Sequence, residues 1–253
     1  MRKTILITGA SNGIGQQLAH EFAARGYNLA LAARTVSKLE TLQQQLTATH
    51  PDIQVEIAGL DVTQLDSVAP VVEQFAATFG SLDIVVANAG IGDGGGPIGS
   101  GGFAKDAMLI QTNVLGAMAT IDAAVAIFKR QQHGQIVAIS SVAAARGLPG
   151  AGSYSASKAA IAVYADAARA ELHGSGIKVT TLYPGFIDTD INNQMKSRPF
   201  LVSLEQGAKQ IAKLIERGVQ ESAVPKLPWG AAMSVMRHLP TSAVAKQAPF
   251  DGE

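Results

Sequence analysis

Short runs of apolar, often β-branched residues alternate along the chain with segments in which apolar residues recur at helical spacing. The runs predict strands at residues 4–8, 28–33, 53–58, 83–87, 135–140, 177–183 and, more weakly, 222–225. Several of these strands are apolar on both faces, as expected for parallel strands that are covered by helices on both sides. Between the first two strands, Ile14, Leu18 and Phe22 recur every four residues, which predicts a helix.

Two further helices follow from the same spacing. The first is marked by Val36, Leu39, Leu42 and Leu46, and the second by Val68, Val71, Val72, Phe75 and Phe79. Strands that alternate with helices predict βαβ units in a parallel sheet. No linker-like shift in composition divides the chain. We therefore predict one α/β domain over residues 1–253, a Rossmann-type doubly wound sheet of about seven parallel strands with helices on both faces.

Two stretches interrupt this alternation. Residues 90–102, GIGDGGGPIGSGG, contain eight glycines in thirteen residues and predict a mobile loop after the fourth strand. The other stretch is an extended C-terminal segment that starts at Pro225 and includes an apolar, Met-rich run from Trp229 to Leu239. Packing in the core or in a dimer is its expected role, and a peripheral membrane contact is the alternative.

The composition excludes several classes of protein. Hydrophobic residues make up 47% of the 253 residues, so the chain is not intrinsically disordered. The 20 basic and 20 acidic residues cancel, which leaves no electrostatic footprint for nucleic acid. Cysteine is absent, which excludes disulfides and thiolate chemistry and fits a reducing compartment. The five histidines have no ligand spacing, so no metal site is expected. No run of about 18 apolar residues predicts a transmembrane helix, and the simplest location is the cytoplasm.

A glycine-rich turn, TGASNGIG, joins the first strand directly to the first helix. Its glycines, Gly9, Gly13 and Gly15, would let backbone approach a pyrophosphate, while the helix N-terminus offers free N–H groups and partial positive charge. An ordinary glycine-rich βα turn would carry the same residues. The position after a strand and before a helix nevertheless favours dinucleotide binding.

The end of the second strand indicates which dinucleotide binds. NAD sites usually carry an acidic residue there, which binds the ribose 2′-hydroxyl, whereas an arginine accommodates a 2′-phosphate. Here Arg34 follows the strand, Lys38 adds a second cation, and no carboxylate occurs until Glu40. An exposed cation at the start of a helix is the alternative interpretation. We favour NADP over NAD.

A tyrosine and a lysine stand four residues apart in SYSASKAAI, at the start of a helical run. Residues with this spacing share one helix face, so the ammonium of Lys158 can approach the phenol of Tyr154. A nearby positive charge lowers the pKa of a phenol toward the range of acid–base catalysis. Ser141 lies thirteen residues before Tyr154, where its hydroxyl could hold a substrate carbonyl; Ser140 is the rival.

Taken together, these motifs resemble the short-chain dehydrogenase/reductase family over nearly the whole chain, from Thr4 to about Thr189. The resemblance rests on TGxxxGIG, Asn113 in NVLG, Ser141, Tyr154 and Lys158, with further matches at Asp61-Val62, Asn88-Ala89-Gly90 and Pro184-Gly185 followed by Thr189. It implies that Tyr154 transfers a proton at the substrate oxygen while hydride passes to or from the nicotinamide C4. Lys158 would lower the pKa of Tyr154 and bind the nicotinamide ribose.

The resemblance implies a role for several other residues. Ser141 would fix the substrate oxygen, and Asn113 would hold a water that links Lys158 to solvent. Asp61 would contact the adenine side with Val62 nearby, Asn88 the cofactor ribose, and Thr189 the carboxamide. The residues predicted to contact the cofactor are Gly9, Ser11, Asn12, Gly13, Ile14, Gly15, Arg34, Lys38, Asp61, Val62, Asn88, Ala89, Gly90, Tyr154, Lys158, Pro184, Gly185, Ile187 and Thr189.

The expected function is that of an NADP-dependent oxidoreductase that interconverts a carbonyl compound and its alcohol. An NAD-dependent alcohol dehydrogenase of the same family is one alternative, and a non-catalytic NADP-binding regulator is another. Residues 186–204 are expected to form the substrate loop, and their apolar side chains indicate an apolar small-molecule substrate. The chain lacks the C-terminal turn that builds many tetramers of the family. A homodimer through the helices that begin near Ala104 and Ser153 is therefore favoured over a tetramer.

Overall fold

In the computed structural model, which describes residues 2–193, 195 and 197–245, seven parallel strands form one sheet in the order β3-β2-β1-β4-β5-β6-β7. The strands are β1 (Thr4–Thr8), β2 (Asn28–Ala33), β3 (Val55–Gly59), β4 (Ile84–Ala87), β5 (Gly134–Ile139), β6 (Ile177–Pro184) and β7 (Glu221–Val224). The predicted α/β sheet with parallel strands is thus confirmed. All seven strands share one sheet, and the single domain over residues 1–253 stays a prediction.

The helices connect consecutive strands and cover both faces of the sheet. They are α1 (Gly13–Ala24), α2 (Val36–Thr49), α3 (Leu65–Phe79), α4 (Phe103–Ile110), α5 (Ala117–Gln131), α6 (Gly152–Glu171), α7 (Leu204–Arg217), α8 (Lys226–His238) and α9 (Thr241–Ala245). A π-helical stretch, Gln111–Gly116, joins α4 to α5, and a short 3-10 helix, Val142–Ala145, follows β5. The long helices predicted near Ala104 and Ser153 correspond to α4 with α5 and to α6.

Five strands, β3 to β7, differ by one or two residues from their predicted bounds, and the third and seventh show why. The third strand begins at Val55 rather than Ile53, because residues 51–53 form a turn after α2. The seventh strand ends at Val224, and Pro225 follows it without a backbone N–H to donate to the sheet. Both differences lie at one end of a strand, where the local sequence pattern specifies the boundary least.

The alternation of side chains along each strand divides the core into two layers. In β1, Ile5 and Ile7 pack with α1, α2 and α7, whereas Leu6 packs on the opposite face with α3, α5 and α6. The strands β2 and β3 lie on one side of β1, and the chain then returns to place β4 on the other side. The order of the strands therefore reverses between β1 and β4, which are neighbours in space but not in sequence. A crevice opens at the carboxyl ends of the strands at such a switch point, and ligands bind there in this class of fold.

The segment Phe103–Gln131 is the one helical segment in the described part of the chain that is long and apolar enough to cross a membrane. Half of its most apolar 18-residue window is buried inside the protein. In this structure α5 packs against α3 and β5 as a core helix. Core helices of soluble proteins pass the same test, so length and composition alone are weak evidence for a membrane span.

The glycine-rich residues 90–102 contain neither helix nor strand, as predicted. The loop closes on itself, because a Cβ at Gly102 would lie only 2.0 Å from the carbonyl oxygen of Gly95. Asp106, in the first turn of α4, accepts a hydrogen bond from the Gly95 amide at 2.7 Å. The glycines therefore allow a close backbone crossing, and the predicted mobility of the loop stays a prediction.

Candidate active site

A cleft of about 380 Å³ lies at the carboxyl ends of the central strands. Nearly all of the residues that the sequence assigns to catalysis or cofactor binding line it. They are Gly9, Ser11, Asn12, Gly13, Ile14, Arg34, Lys38, Asp61, Val62, Asn88, Ala89, Gly90, Ser141, Tyr154, Lys158, Pro184, Gly185, Ile187 and Thr189. The two exceptions are Gly15 and Asn113, which lie directly behind the cleft wall.

The glycine-rich turn is packed too tightly to accept side chains. Gly9 has a φ of +68°, and a Cβ there would lie 2.8 Å from the Cα of Ala89. A Cβ at Gly15 would lie 2.4 Å from the carbonyl oxygen of Gly9 and 2.6 Å from Nδ2 of Asn88. The amide of Asn88 in turn donates to the carbonyl oxygen of Thr8 at 2.9 Å. These contacts hold the N-terminus of α1 against the strand ends, where its free N–H groups can bind a phosphate.

Asn12 connects this turn to the segment that follows β6. As the N-cap of α1, its side-chain oxygen accepts a hydrogen bond from the Gly13 amide at 2.8 Å. Its Nδ2 donates to Oδ2 of Asp190, also at 2.8 Å. The side chain of Asn12 thus caps α1 and also joins it, through Asp190, to the opposite rim of the cleft.

The end of the cleft beside β2 is cationic. Arg34 and Lys38 are exposed at its rim, and neither forms an ion pair with any residue in the described ranges. Asp61 lies beyond β3, and its Oδ1 accepts hydrogen bonds from the amide of Thr63 at 3.0 Å and its hydroxyl at 2.8 Å. This end can therefore hold an anion such as a 2′-phosphate, next to a carboxylate in a fixed orientation.

Tyr154 and Lys158 lie one turn apart at the start of α6. Nζ of Lys158 lies 5.7 Å from the centroid of the Tyr154 ring and donates to the carbonyl oxygen of Ile139 at 3.1 Å. Burial lowers the pKa of Lys158 from 10.5 to about 8, since the surroundings disfavour its charged form.

The pKa of Tyr154 differs in direction from the sequence-based expectation. Burial raises it above 10.0, and a hydrogen bond with Ser141 acts in the opposite direction but is the smaller influence. The net shift is thus opposite to the expected one, because burial disfavours the phenolate; the lowering that the family resemblance assigns to Lys158 stays a prediction. At neutral pH the phenol carries its proton and can donate it.

The two candidate serines have different surroundings. The Ser140 hydroxyl is buried and donates to the carbonyl oxygen of Lys158 at 2.7 Å, which joins β5 to α6. The Ser141 hydroxyl lies in the cleft, donates to the carbonyl oxygen of Pro184 at 3.4 Å and accepts from the Ala143 amide at 3.2 Å. Of the two serines, only Ser141 acts on the pKa of Tyr154, which it lowers. This geometry supports Ser141 as the serine that meets the substrate.

Asn113 lies within the π-helical turn between α4 and α5, a feature that the sequence pattern did not reveal. Its side chain accepts from the Ile91 amide at 2.8 Å and donates to the Ile91 carbonyl oxygen at 2.9 Å and the Ser157 hydroxyl at 3.2 Å. A Cβ at Gly90 would lie 3.1 Å from Oδ1 of Asn113 and 3.5 Å from Nζ of Lys158. Gly90 thus lies between the side chain of Asn113 and the ammonium of Lys158. The water that would link Asn113 and Lys158 as a proton relay stays a prediction. Single π-helical turns within α-helices often mark functional sites.

The charged residues after β6 form a pattern that the sequence did not show. Arg198 forms an ion pair with Asp188 and also donates to Oδ1 of Asn192 at 3.3 Å. The amide of Asn192 then donates to the carbonyl oxygen of Ile187 at 2.8 Å. These contacts join residues on either side of the part of the segment that lines the cleft, residues 187 and 189–192. Lys196, another charge of the segment, lies outside the described residues.

Sequence reasoning missed six residues of the cleft lining, Ala33, Thr35, Leu60, Ile91, Thr112 and Ile139. Most of them directly adjoin a predicted site residue at the end of a parallel strand. The rule that ligands bind beyond the carboxyl ends of such strands could have found those. Thr112 has no comparable local signal, since the π-helical turn places it. The lining also includes Ser140, the rival of Ser141, and Asp190, Ile191 and Asn192 from the predicted substrate loop.

The residues present fit a dinucleotide. The glycine turn and the α1 N-terminus provide an anion cradle that any added Cβ at Gly9 or Gly15 would fill. A cationic rim lies at one end, and Tyr154, the buried Lys158 and a serine hydroxyl lie at the other. Such an arrangement can bind a dinucleotide along its length and transfer a proton beside its reactive end.

Comparisons with known proteins agree with this interpretation. Residues 3–199 match the sequence profile of the family described as short chain dehydrogenase. An uncharacterized oxidoreductase of Mycobacterium tuberculosis is 38% identical over 240 residues, which cover 94% of each chain.

Two solved structures have a similar fold. The alcohol dehydrogenase of the archaeon Thermococcus sibiricus, complexed with 5-hydroxy-NADP, is 28% identical with a TM-score of 0.80, over 88% of this chain and 96% of that one. A short chain dehydrogenase/reductase of Burkholderia phymatum in complex with NAD has a TM-score of 0.84 over 100% of this chain and 98% of that one, and at 22% identity it shows the fold alone. With its matching profile and its close oxidoreductase relative, this chain belongs to the short-chain dehydrogenase/reductase family and is an NAD(P)-dependent oxidoreductase.

Proposed function

We propose that this protein is an NADP-dependent reductase of an apolar carbonyl compound, with Tyr154 as the general acid. The observation that carries the proposal is that Tyr154, Lys158 and Ser141 line one cleft together with the glycine-rich turn that forms an anion cradle. A phenol is protonated at neutral pH, so Tyr154 can donate a proton to a carbonyl oxygen as reduction requires.

When bound, NADPH supplies the hydride that adds to the carbonyl carbon. The Ser141 hydroxyl donates a hydrogen bond to the carbonyl oxygen and so orients it toward Tyr154. Tyr154 donates its proton to the same oxygen as negative charge develops there. Lys158, held by the Ile139 carbonyl, supplies positive charge that stabilises the phenolate left behind. Asn113 fixes the strand end beside Gly90 and thereby the position of the Lys158 ammonium.

The preference for NADP rests on the cationic rim. Arg34 and Lys38 are exposed beside the cleft and have no anionic partner in the described residues. A planar guanidinium binds phosphate in a bidentate manner, which favours a cofactor with a 2′-phosphate. The Thermococcus sibiricus structure in complex with 5-hydroxy-NADP supports this choice, and the Burkholderia phymatum structure with NAD supports the alternative of an NAD-dependent enzyme.

The decisive test is consumption of NADPH and NADH with a panel of ketones, aldehydes and diketones. We expect oxidation of NADPH with at least one apolar carbonyl compound and a loss of about 100-fold or more in Tyr154→Phe, which keeps the ring and removes the proton donor. If the wild type and this variant were equally inactive while both bound NADPH, the non-catalytic regulator would be the better explanation.

The quaternary structure and the location are further parts of the proposal. Apolar side chains are exposed on the helices predicted to form a dimer, with Phe103 at 80%, Met108 at 52% and Val163 at 70%. Burying such side chains against a second copy of the chain would favour a homodimer. Light scattering during size-exclusion chromatography tests the dimer, and cell fractionation tests the cytoplasmic location.

A further inference from the structure

Gly92 and Ile191 are in close contact, although they lie far apart in the sequence. Gly92 belongs to the glycine-rich loop after β4, and Ile191 belongs to the segment after β6. A Cβ at Gly92 would lie only 2.4 Å from Cγ2 of Ile191, and 3.5 Å from its Cβ and its carbonyl oxygen. The two segments therefore approach each other so closely that only a glycine fits on one side.

The contact spans the end of the strand that leads to Ser141. In the sheet β5 lies between β4 and β6, so a contact between the segments that follow β4 and β6 spans the carboxyl end of β5. Ser141 lines the cleft there, as do Ile191 itself and Ile91, the residue before Gly92. A molecule that approaches the Ser141 hydroxyl in the cleft must therefore lie beside this contact.

Hydrogen bonds hold both sides of the contact. On the glycine side, the amide of Ile91 donates to Oδ1 of Asn113 at 2.8 Å, and its carbonyl oxygen accepts from Nδ2 at 2.9 Å. On the other side, the two neighbours of Ile191, Asp190 and Asn192, each make a side-chain hydrogen bond of 2.8 Å. The backbone thus fixes the width of the cleft at this point.

The side chain of Ile191 presents an apolar surface to the cleft. It is 54% exposed, so packing in the core does not account for an isoleucine at this position. Two heavy atoms on its Cβ leave few χ1 rotamers, so Cγ2 does not turn away freely from Gly92. A Cβ at Gly90 would lie 3.5 Å from Nζ of Lys158. Because two residues span at most about 7 Å, the contact lies at the catalytic end of the cleft.

We propose that Ile191 is a specificity-determining residue, which together with Gly92 limits the width of the substrate near its reacting carbonyl group. An unbranched chain fits beside the contact, whereas a branched chain collides with the isoleucine. The substrate class is then an apolar carbonyl compound with an unbranched chain next to the carbonyl group. This inference rests on the proposed function, since it deepens the assignment of the same cleft.

The first experiment compares two isomeric ketones, heptan-2-one, which is unbranched, and 4,4-dimethylpentan-2-one, which is branched. Wild type should reduce the unbranched ketone with the higher kcat/KM. Ile191→Ala should raise kcat/KM for the branched ketone relative to the unbranched one about 10-fold, as expected when a pocket gains room for a methylene group. Val235→Ala is the matched control, because it shortens another exposed β-branched side chain, on α8, and should leave the ratio unchanged.

The second experiment tests the contact itself. Gly92→Ala places a methyl group against Ile191 and should lower kcat/KM for both ketones about 10-fold. In the Ile191→Ala background the same substitution should cost less than about 2-fold, because the nearest remaining atoms of residue 191 lie 3.5 Å from the new Cβ. Gly230→Ala on α8, where a new Cβ has open space among the described residues, controls for the loss of a glycine. Should Gly92→Ala fail to fold, the ratio in Ile191→Ala decides alone.

A binding measurement separates this inference from the reductase activity. Calorimetric titration of both ketones into protein loaded with NADP⁺ gives their Kd values without turnover. Tighter binding of the branched ketone in Ile191→Ala would support the inference even if no carbonyl compound were reduced.

Two results overturn the inference and leave the proposed function intact. One is reduction of both ketones with the same ratio of kcat/KM in the wild type and in Ile191→Ala. The other is an equal cost of Gly92→Ala in the wild type and in the Ile191→Ala background. Failure of both ketones to bind also overturns it.

Discussion

Asn12 donates a hydrogen bond to Asp190 at 2.8 Å, and this contact joins two rims of the cleft that are 178 residues apart in sequence. Asn12 also caps α1, so the same side chain orients the helix N-terminus and attaches the segment after β6. The contact therefore closes one side of the cofactor cleft through a single asparagine.

Breaking this contact should weaken dinucleotide binding. Asp190→Ala removes the acceptor, and Asn12→Ser retains a capping oxygen but loses the donor. Each substitution should raise the Kd for the cofactor about 5-fold, and the double variant no more than either single one, because both remove the same interaction. Asp190→Asn keeps an acceptor and serves as the control. Calorimetry measures the Kd values, and additive effects of the two substitutions would contradict the expected coupling.

Replacing Arg34 should reverse the preference between cofactors. In Arg34→Asp the carboxylate repels a 2′-phosphate and can instead accept from a ribose 2′-hydroxyl. We expect kcat/KM for NADPH to fall about 10- to 100-fold, while that for NADH stays constant or rises. Lys129→Asp, at the far end of α5, changes the net charge equally outside the cleft and should leave both values unchanged. An unchanged preference in Arg34→Asp would remove the main support for NADP.

The lowered pKa of Lys158 predicts a pH-dependent stability. In the folded protein this pKa is about 8, whereas it is 10.5 in the exposed group, so between these values the unfolded chain binds more protons. Stability contributed by Lys158 therefore rises with pH over this range and is lost as pH falls toward 8, by about 1 kcal/mol per pH unit. Relative to the wild type, Lys158→Met should become less stable as pH rises from about 8 to 10. Urea unfolding of both proteins measures this difference, and a pH-independent difference would show that the pKa is not lowered.

The two adjacent serines should differ in their effect on kcat. Ser140→Ala removes a buried hydrogen bond to the Lys158 carbonyl and should lower the free energy of unfolding by about 1 kcal/mol, with a small effect on kcat. Ser141→Ala also removes buried hydrogen bonds, with Pro184 and Ala143, and should destabilise by a similar amount, but it removes the hydroxyl next to Tyr154 and should lower kcat about 100-fold. Each variant is the control for the other. Equal effects of the two on kcat would contradict the assignment of Ser141.

Local signals account for most of the successful predictions. The strands and the first helices follow from apolar periodicity, which is a property of short stretches. The Tyr154–Lys158 pair follows from the spacing of one helical turn, and the glycine turn from its position between strand and helix. The pKa of Tyr154 was predicted in the wrong direction, because burial depends on residues from several elements and not on the lysine alone.

The sequence by itself determined the alternation of strands and helices, the anion-binding turn, the cation after β2 and the residues capable of proton transfer. Only the tertiary structure decided which distant residues meet. It brings Asp190 to Asn12, pairs Asp188 with Arg198 and places Trp229 of α8 against Gly185. The physical reason is that periodicity and turn chemistry act within a few residues, whereas contacts across the sheet depend on how all the layers pack together.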